Sequence, residues 1–215
     1  MESQGGNELW TNAISVTILL IMVQVVTAKF PLGKENRRRI QHALTGHLMV
    51  HVSYYIPPAT AIFLCLLGAC GMYSLFKFSP QRFRRTFGEL LRKEELDGVR
   101  LPGAFYFLVG TATTVALSKD INTARYGVEC LAFADPLASF VGTTFPSPKL
   151  NSNASLSGFL ACFACAWIVG YLMLTNDIFV LSTGALVCAM TEAAEIWNDN
   201  LCIPILTSLS VEHLL

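Results

Sequence analysis

Long apolar stretches separated by short polar segments recur along the whole chain, and this succession restricts the possible folds more than any other feature. They occupy 13–29, 43–56, 57–78, 103–118, 124–145, 156–175 and 177–197, with a shorter one at 201–211. A hydrocarbon core holds no water to satisfy backbone N–H and C=O groups, so a crossing segment must be helical and carry about 20 mostly apolar residues. The pattern predicts an all-α fold, a polytopic integral membrane helical bundle of about seven transmembrane segments. Composition agrees, with 53% of residues hydrophobic and only 14% charged, against about 25% charged in a soluble domain. Residues 1–12 read as a non-cytoplasmic N-terminal tail, 13–29 as the first transmembrane helix, and 30–215 as the membrane domain that follows. Glu2 and Glu8 stand where a cleaved signal peptide carries basic residues, so a retained signal anchor is expected.

Charge is informative through its placement. Lys plus Arg and Asp plus Glu both number 15, which argues against a nucleic-acid partner. One basic cluster holds Lys34, Arg37, Arg38 and Arg39; a second runs from Lys77 to Arg100 and includes Arg82, Arg84, Arg85, Arg92 and Lys93. The positive-inside rule places both on the cytoplasmic side. The stretch between them must then cross twice, and Pro57-Pro58 supplies the turn, because neither residue can donate a helical N–H. Continuing the alternation brings the Ser-, Asn- and Pro-containing loop 146–155 and the Trp197-Asn198-Asp199-Asn200 segment to the same face.

Several polar residues fall where lipid-facing sequence would not carry them. Asp135 interrupts the apolar run 130–141, at a penalty of about 2.5–3.5 kcal/mol on insertion scales. It suits a magnesium ligand or a base for a lipid hydroxyl, or a carboxylate at the helix break made by Pro136. The small residues around it, Ala132, Ala134, Ala138, Ser139 and Gly142, permit close approach of a ligand or of another helix. Arg38 and Arg39, followed by His42, Thr45 and Gly46, could bind phosphate, or could mark topology and touch anionic lipids. Glu192, Glu195, Asp199 and Asn200 add carboxylates near the same boundary; magnesium favours carboxylates together with substrate phosphates. His47 and His51 have metal-ligand spacing but no third ligand nearby, so no metal site is expected there. The seven cysteines sit in apolar surroundings without paired CxxC motifs and read as small buried hydrophobes. Neither GxxxxGK[ST] nor a protein-kinase glycine loop is present.

Taken as successive blocks, Arg38-Arg39-Ile40-Gln41-His42 with Gly46, and Leu101-Pro102-Gly103-Ala104-Phe105-Tyr106-Phe107 with Gly110, resemble the polyprenol kinase family. The block from Leu131 to Gly142, containing Asp135-Pro136-Leu137-Ala138, looks like the start of that family's CTP-binding motif. Glu192 and Asp199-Asn200-Leu201-Cys202-Ile203-Pro204 are similar to its closing block. The motif's continuation falls on Pro146 and on Asn153-Ala154-Ser155-Leu156-Ser157-Gly158. Ser155 and Gly158 keep it, whereas Ala154 and Ser157 replace its lysine and glutamate.

The resemblance implies a CTP-dependent lipid kinase, nearest in size to the diacylglycerol kinases, acting with Mg²⁺ at the cytoplasmic face of the endoplasmic reticulum membrane. In that scheme Asp135 and His42 are catalytic; Arg38, Arg39, Ala138, Gly142, Ser155 and Gly158 bind the nucleotide. Asp135, Glu192 and Asp199 hold the metal, and Asn200 supports them. The partners are the bilayer and its lipid substrate. Alternative readings are a phytol or dolichol kinase, a phosphatidate cytidylyltransferase, an inactive relative that binds lipid or scaffolds other proteins, and a small transporter.

The topology carries its own test. Cysteines placed at Arg84 and at Asn151 in sealed vesicles should react with an impermeant thiol reagent from the same, cytoplasmic side; reaction from opposite sides would overturn the shared face.

Overall fold

In a computed structural model the described residues are Ser15, Ile18, Leu19, Met22, Val23, Val26, Thr27, 29–194 and 196–215. The tail expected over 1–12 and about half of the helix expected over 13–29 lie outside them, as does Glu195. The described chain is helical: α1 Lys34–Val52, α2 Pro58–Phe78, α3 Pro80–Phe87, α4 Lys93–Leu96, α5 Gly103–Leu117, α6 Ile121–Thr144, α7 Leu156–Met173, α8 Ile178–Ala194 and α9 Asp199–Glu212. Among these residues there is no strand, only an isolated antiparallel bridge between Lys149 and Ser155.

Helix ends follow local chemistry. Pro57 and Pro58 open α2, with Pro58 in the first turn, where a missing N–H leaves no gap. Asp120 caps α6 by accepting from Asn122 N, and Ser155 caps α7 by accepting from Gly158 N. The basic stretch after α2 forms the short helices α3 and α4. Phe83 buries itself on the inner side of α3 and leaves Arg82, Arg84 and Arg85 exposed.

α6 is the core helix. Residues from Thr123 to Ala138 are buried on several of its faces, Leu131, Ala132 and Ala134 completely, because α1, α5, α7 and α9 all pack on it. Glycines set the spacing where a side chain could not fit. A Cβ at Gly46 would stand 2.6 Å from the Cβ of Ala132. Of the seven cysteines, all free, four are buried, while Cys70 lies exposed on α2.

The outer surface is apolar. Phe63 and Leu67 on α2, Leu160 and Leu172 on α7, and Ile178 and Phe179 on α8 are all exposed, far more apolar surface than a protein surrounded by water displays. Two described helices, α2 and α7, are both long and apolar enough to cross a bilayer, and only 11% and 28% of their apolar windows are buried inside the molecule. The expected count of about seven crossings therefore shrinks to two by this measure. α1 and α6 carry charged residues within their length, and α5, α8 and α9, of 15, 17 and 14 residues, fall short of the ~30 Å hydrocarbon core at ~1.5 Å per residue.

The contact at Gly46 should be sensitive to a single methyl. Gly46→Ala is expected to lower stability by about 1–3 kcal/mol, read by thermal unfolding in detergent, and adding Ala132→Gly should recover most of it. An alanine variant as stable as the parent would refute the close approach.

Candidate functional site: the cationic end of the α1–α6 pair

The site is built from two antiparallel helices. α1 begins with the basic residues and α6 ends beside them, so the N-terminal turns of α1 meet the C-terminal half of α6. Arg39 fixes this register. Its Nε donates to Ser139 Oγ at 3.1 Å, and its Nη2 donates to Ser139 Oγ at 2.9 Å, to Ser139 O at 3.1 Å and to Thr143 Oγ1 at 3.2 Å. Nη1 donates to Asn36 Oδ1 at 2.9 Å. The nucleotide-binding role expected of Arg39 from sequence thus meets a guanidinium already engaged in joining two helices.

One turn on, His42 faces Asp135. Its Nε2 lies 3.1 Å from Leu131 O and 4.0 Å from Asp135 Oδ2. The carbonyl can only accept, so Nε2 carries the hydrogen. Its ring meets the Phe107 ring edge-on at 5.2 Å, which holds the imidazole from the α5 side. Pro136, following Asp135, lacks the N–H that would reach Ala132 O, and this loosens the helix beside the carboxylate. Asp135 is partly exposed, its side chain at 25%, so a ligand can reach it.

Arg38 lies in the polar first turns of α1, ahead of the apolar stretch, and pairs with Glu35 Oε1 at 2.7 Å. Burial lowers its pKa, followed by repulsion from Arg92; Glu35, Glu95 and Asp135 oppose the shift. Two guanidiniums within electrostatic reach of one another, with Asp135 among their neighbours, make a place where an anion is favoured and a metal-bound phosphate more so. Sequence reasoning counted Arg92 only as a topology signal and passed over Glu95. Glu95 Oε2 accepts from Arg92 N at 2.7 Å and its Oε1 from Gly103 N at 2.7 Å, so it ties α4 to the start of α5. The place of Glu95 three residues after Arg92 was visible in the sequence; its reach to Gly103 was not.

The other expected residues fall into two groups. Ala138, Gly142, Ser155 and Gly158 meet where α6 packs on the start of α7: a Cβ at Gly142 would stand 2.7 Å from Ser155 Oγ, and one at Gly158 would stand 2.9 Å from Ala138 O. Here the small residues serve helix contact. Asn200 Nδ2 donates to Gly103 O at 3.0 Å, linking α9 to α5. Glu192 lies with Asp135 in electrostatic reach of Cys162. Among the described residues no group of three His, Cys, Asp or Glu side chains forms a metal cage, so Asp135, Glu192 and Asp199 make no ready-built site. The donor set still fits magnesium in one manner, held by one or two carboxylates and chiefly by substrate phosphates.

The loop 146–158 is closed by hydroxyls. Ser147 Oγ donates to Ser157 Oγ at 2.9 Å and accepts from Ser157 N at 2.9 Å, while Ser157 Oγ donates to Phe145 O at 3.0 Å. Asn151 Nδ2 donates to Ala193 O at 2.5 Å, which pins the loop to the end of α8.

No protein-family model matches the chain, and no solved structure is similar to it. Two curated relatives are. An uncharacterised protein of Methanocaldococcus jannaschii is 29% identical over 125 residues, covering 58% of this chain and 63% of that protein. The CTP-dependent diacylglycerol kinase 1 of Saccharomyces cerevisiae is 26% identical over 162 residues, covering 61% of this chain and 54% of the kinase. The chain is a distant relative of that kinase, and the match spans less than two thirds of either relative's length.

The two arginines should separate in their effect on stability. Arg39→Ala is expected to lose about 2 kcal/mol, since charged hydrogen bonds go with it, and Arg39→Lys should recover only part because a point charge cannot match the fork. Arg38→Ala should change stability little, its partner being half-exposed. Equal losses in chemical denaturation would contradict this division.

Proposed function

We propose that the chain is a CTP-dependent lipid kinase of the polyprenol kinase family, spanning the endoplasmic reticulum membrane about seven times, its active face cytoplasmic. It transfers the γ-phosphate of CTP to the hydroxyl of a lipid alcohol, diacylglycerol first. The observation that carries this reading is the meeting of Asp135, His42 and Arg38 at the basic end of the bundle, in a chain distantly similar to a CTP-dependent diacylglycerol kinase.

Phosphoryl transfer requires in-line placement and neutralisation of phosphate charge more than covalent chemistry. Arg38 and Arg92 bind phosphate oxygens as cations. Asp135 orients the acceptor hydroxyl or holds the magnesium carried by the donor's phosphates, with Glu192 and Asp199 assisting. Magnesium there neutralises the phosphate charge. His42, whose Nε2 donates to Leu131 O and whose ring is held by Phe107, stands beside Asp135 at 4.0 Å and gives the carboxylate a polar neighbour. Arg39 positions α1 against α6 and touches no substrate in this scheme. The apolar exterior supports lateral entry of the acceptor's chains while the hydroxyl remains at the polar boundary.

A second reading has its own support. Hydroxyls close the 146–158 loop where the family carries a lysine and a glutamate, at Ala154 and Ser157, and this favours a relative that binds lipid without turnover.

One assay decides between them. Membranes containing the full chain receive γ-labelled CTP, with labelled ATP as control, and diacylglycerol, phytol or dolichol separately. Label is expected in phosphatidate from CTP, reduced at least a hundredfold in Asp135→Asn. A labelled polyprenyl phosphate would reassign the acceptor, and α-labelled CTP entering a lipid would indicate a cytidylyltransferase. No product above the Asp135→Asn background would leave the non-catalytic reading standing.

A further inference from the structure

The short helix α3 presents positive charge that its surroundings leave uncompensated. At about 100° per residue, Arg82, Arg84 and Arg85 spread over an arc of about 160° whose centre lies opposite Phe83. All three are exposed, as is Lys77 just before the helix. From Lys77 to Gly88 there is no Asp or Glu, and the next carboxylate, Glu89, pairs with Arg37 at 3.2 Å. Among the described residues none of these four cations forms an ion pair.

The patch is held in place from inside. Phe83, 2% exposed, meets the Phe76 ring edge-on at 5.4 Å and the Phe87 ring at 5.2 Å. Lys34 Nζ donates to Gly88 O at 3.3 Å, which fastens the end of α3 to the start of α1. The helix is therefore docked on its aromatic side and open on its basic side.

Its position relative to the bilayer follows from the chain. Ser79 alone separates α3 from α2, one of the two helices long and apolar enough to cross a membrane. The cations thus stand where α2 leaves the hydrocarbon, and Phe78, 79% exposed, lies at the same level. Long basic side chains at that depth lay their stems on apolar surface and keep their charge among the headgroups, where an anionic leaflet attracts each of them. The choline of a zwitterionic lipid offsets its phosphate; an anionic headgroup leaves net negative charge for the guanidiniums. The exposed Phe78 beside the charges favours a lipid over a soluble acidic partner, because its ring meets acyl chains there.

We propose that the basic face of α3, together with Lys77, is a docking surface for anionic phospholipids of the leaflet at which α2 ends. Their headgroups lie against Arg82, Arg84 and Arg85, and the upper part of their acyl chains against Phe78. The inference rests on α2 crossing the bilayer, as the proposed function also requires, and needs neither CTP nor an acceptor alcohol.

The test places the full chain in phosphatidylcholine nanodiscs doped with phosphatidylserine or with phosphatidylcholine, each carrying a diazirine near the carbonyl end of one acyl chain. After photolysis without nucleotide, mass spectrometry should find label on 75–87 at least threefold higher for phosphatidylserine, a preference that falls as salt rises. Arg82→Gln, Arg84→Gln and Arg85→Gln combined should abolish the preference, and the three lysine substitutions combined should keep most of it, since the surface requires charge and not a fork. Asp135→Asn should leave it intact, which separates the surface from the kinase centre. Equal labelling by the two lipids would overturn the inference, as would a preference that survives the glutamine triple or is lost in the lysine triple or in Asp135→Asn. Displacement of the label by soluble polyglutamate would reassign the surface to an acidic protein partner. A chain that does not stay with the nanodiscs would overturn the membrane reading and the inference together, whereas equal labelling leaves the membrane reading standing.

Discussion

The antiparallel contact between α1 and α6 is the interaction on which the remaining structure depends. Close packing and interhelical hydrogen bonds hold it. Gly46 lies against Ala132 at a distance no larger pair would allow. That closeness lets polar groups reach across at successive levels. Arg39 reaches Ser139 and Thr143 at one end, His42 reaches Leu131 O, His47 meets Glu129, and at the other end Arg125 donates to Ser53 O at 2.7 Å and lies over the Tyr54 ring at 3.8 Å. Arginines thus clamp both ends of the pair, and the histidines occupy the middle.

The opposite side of α6 is arranged by the same rule with different partners. Gly142 and Gly158 let the start of α7 approach, and a Cβ at Gly127 would collide with the backbone of α9 at Pro204. Because α6 is gripped on several sides, Pro136 can interrupt its hydrogen bonding without loss of position. The interruption falls beside Asp135. A functional carboxylate gains from this combination: its surroundings are fixed by packing on several sides, while Pro136 withholds the N–H that would reach Ala132 O.

Apolar segmentation in the sequence located the helices well, since length and composition act locally. The expected 103–118, 156–175 and 177–197 became Gly103–Leu117, Leu156–Met173 and Ile178–Ala194, and the turn at Pro57-Pro58 stands where two missing N–H groups require it. The basic stretch 77–100 read only as a topology signal, because α3 and α4 are too short to give a period above their charge. Asp135 and His42 were legible as a charged residue in an apolar run and a histidine beside arginines. The pairing of Arg39 with Ser139 was not, since the two are 100 residues apart and nothing local marks a serine as an arginine's partner. Glu129 was hidden for the same reason. It lay two residues before the block that drew attention, and its His47 partner had been judged only as a possible metal ligand lacking a third group.

Two carboxylates on one helix come to differ through surroundings alone. Asp135 is partly exposed at the basic boundary, with Arg38 in electrostatic reach and the His42 Nε2 at 4.0 Å; ionised, it is compensated and open to an incoming cation or hydroxyl. Glu129 is 5% exposed, with the His47 imidazole on one oxygen and the other oxygen buried. Solvent reaches the first carboxylate, while burial in the helix packing keeps the second away from it. The α1–α6 pair thus holds one partly exposed and one buried carboxylate at different levels of the same contact, with Gly46 and Ala132 between the two histidines that face them.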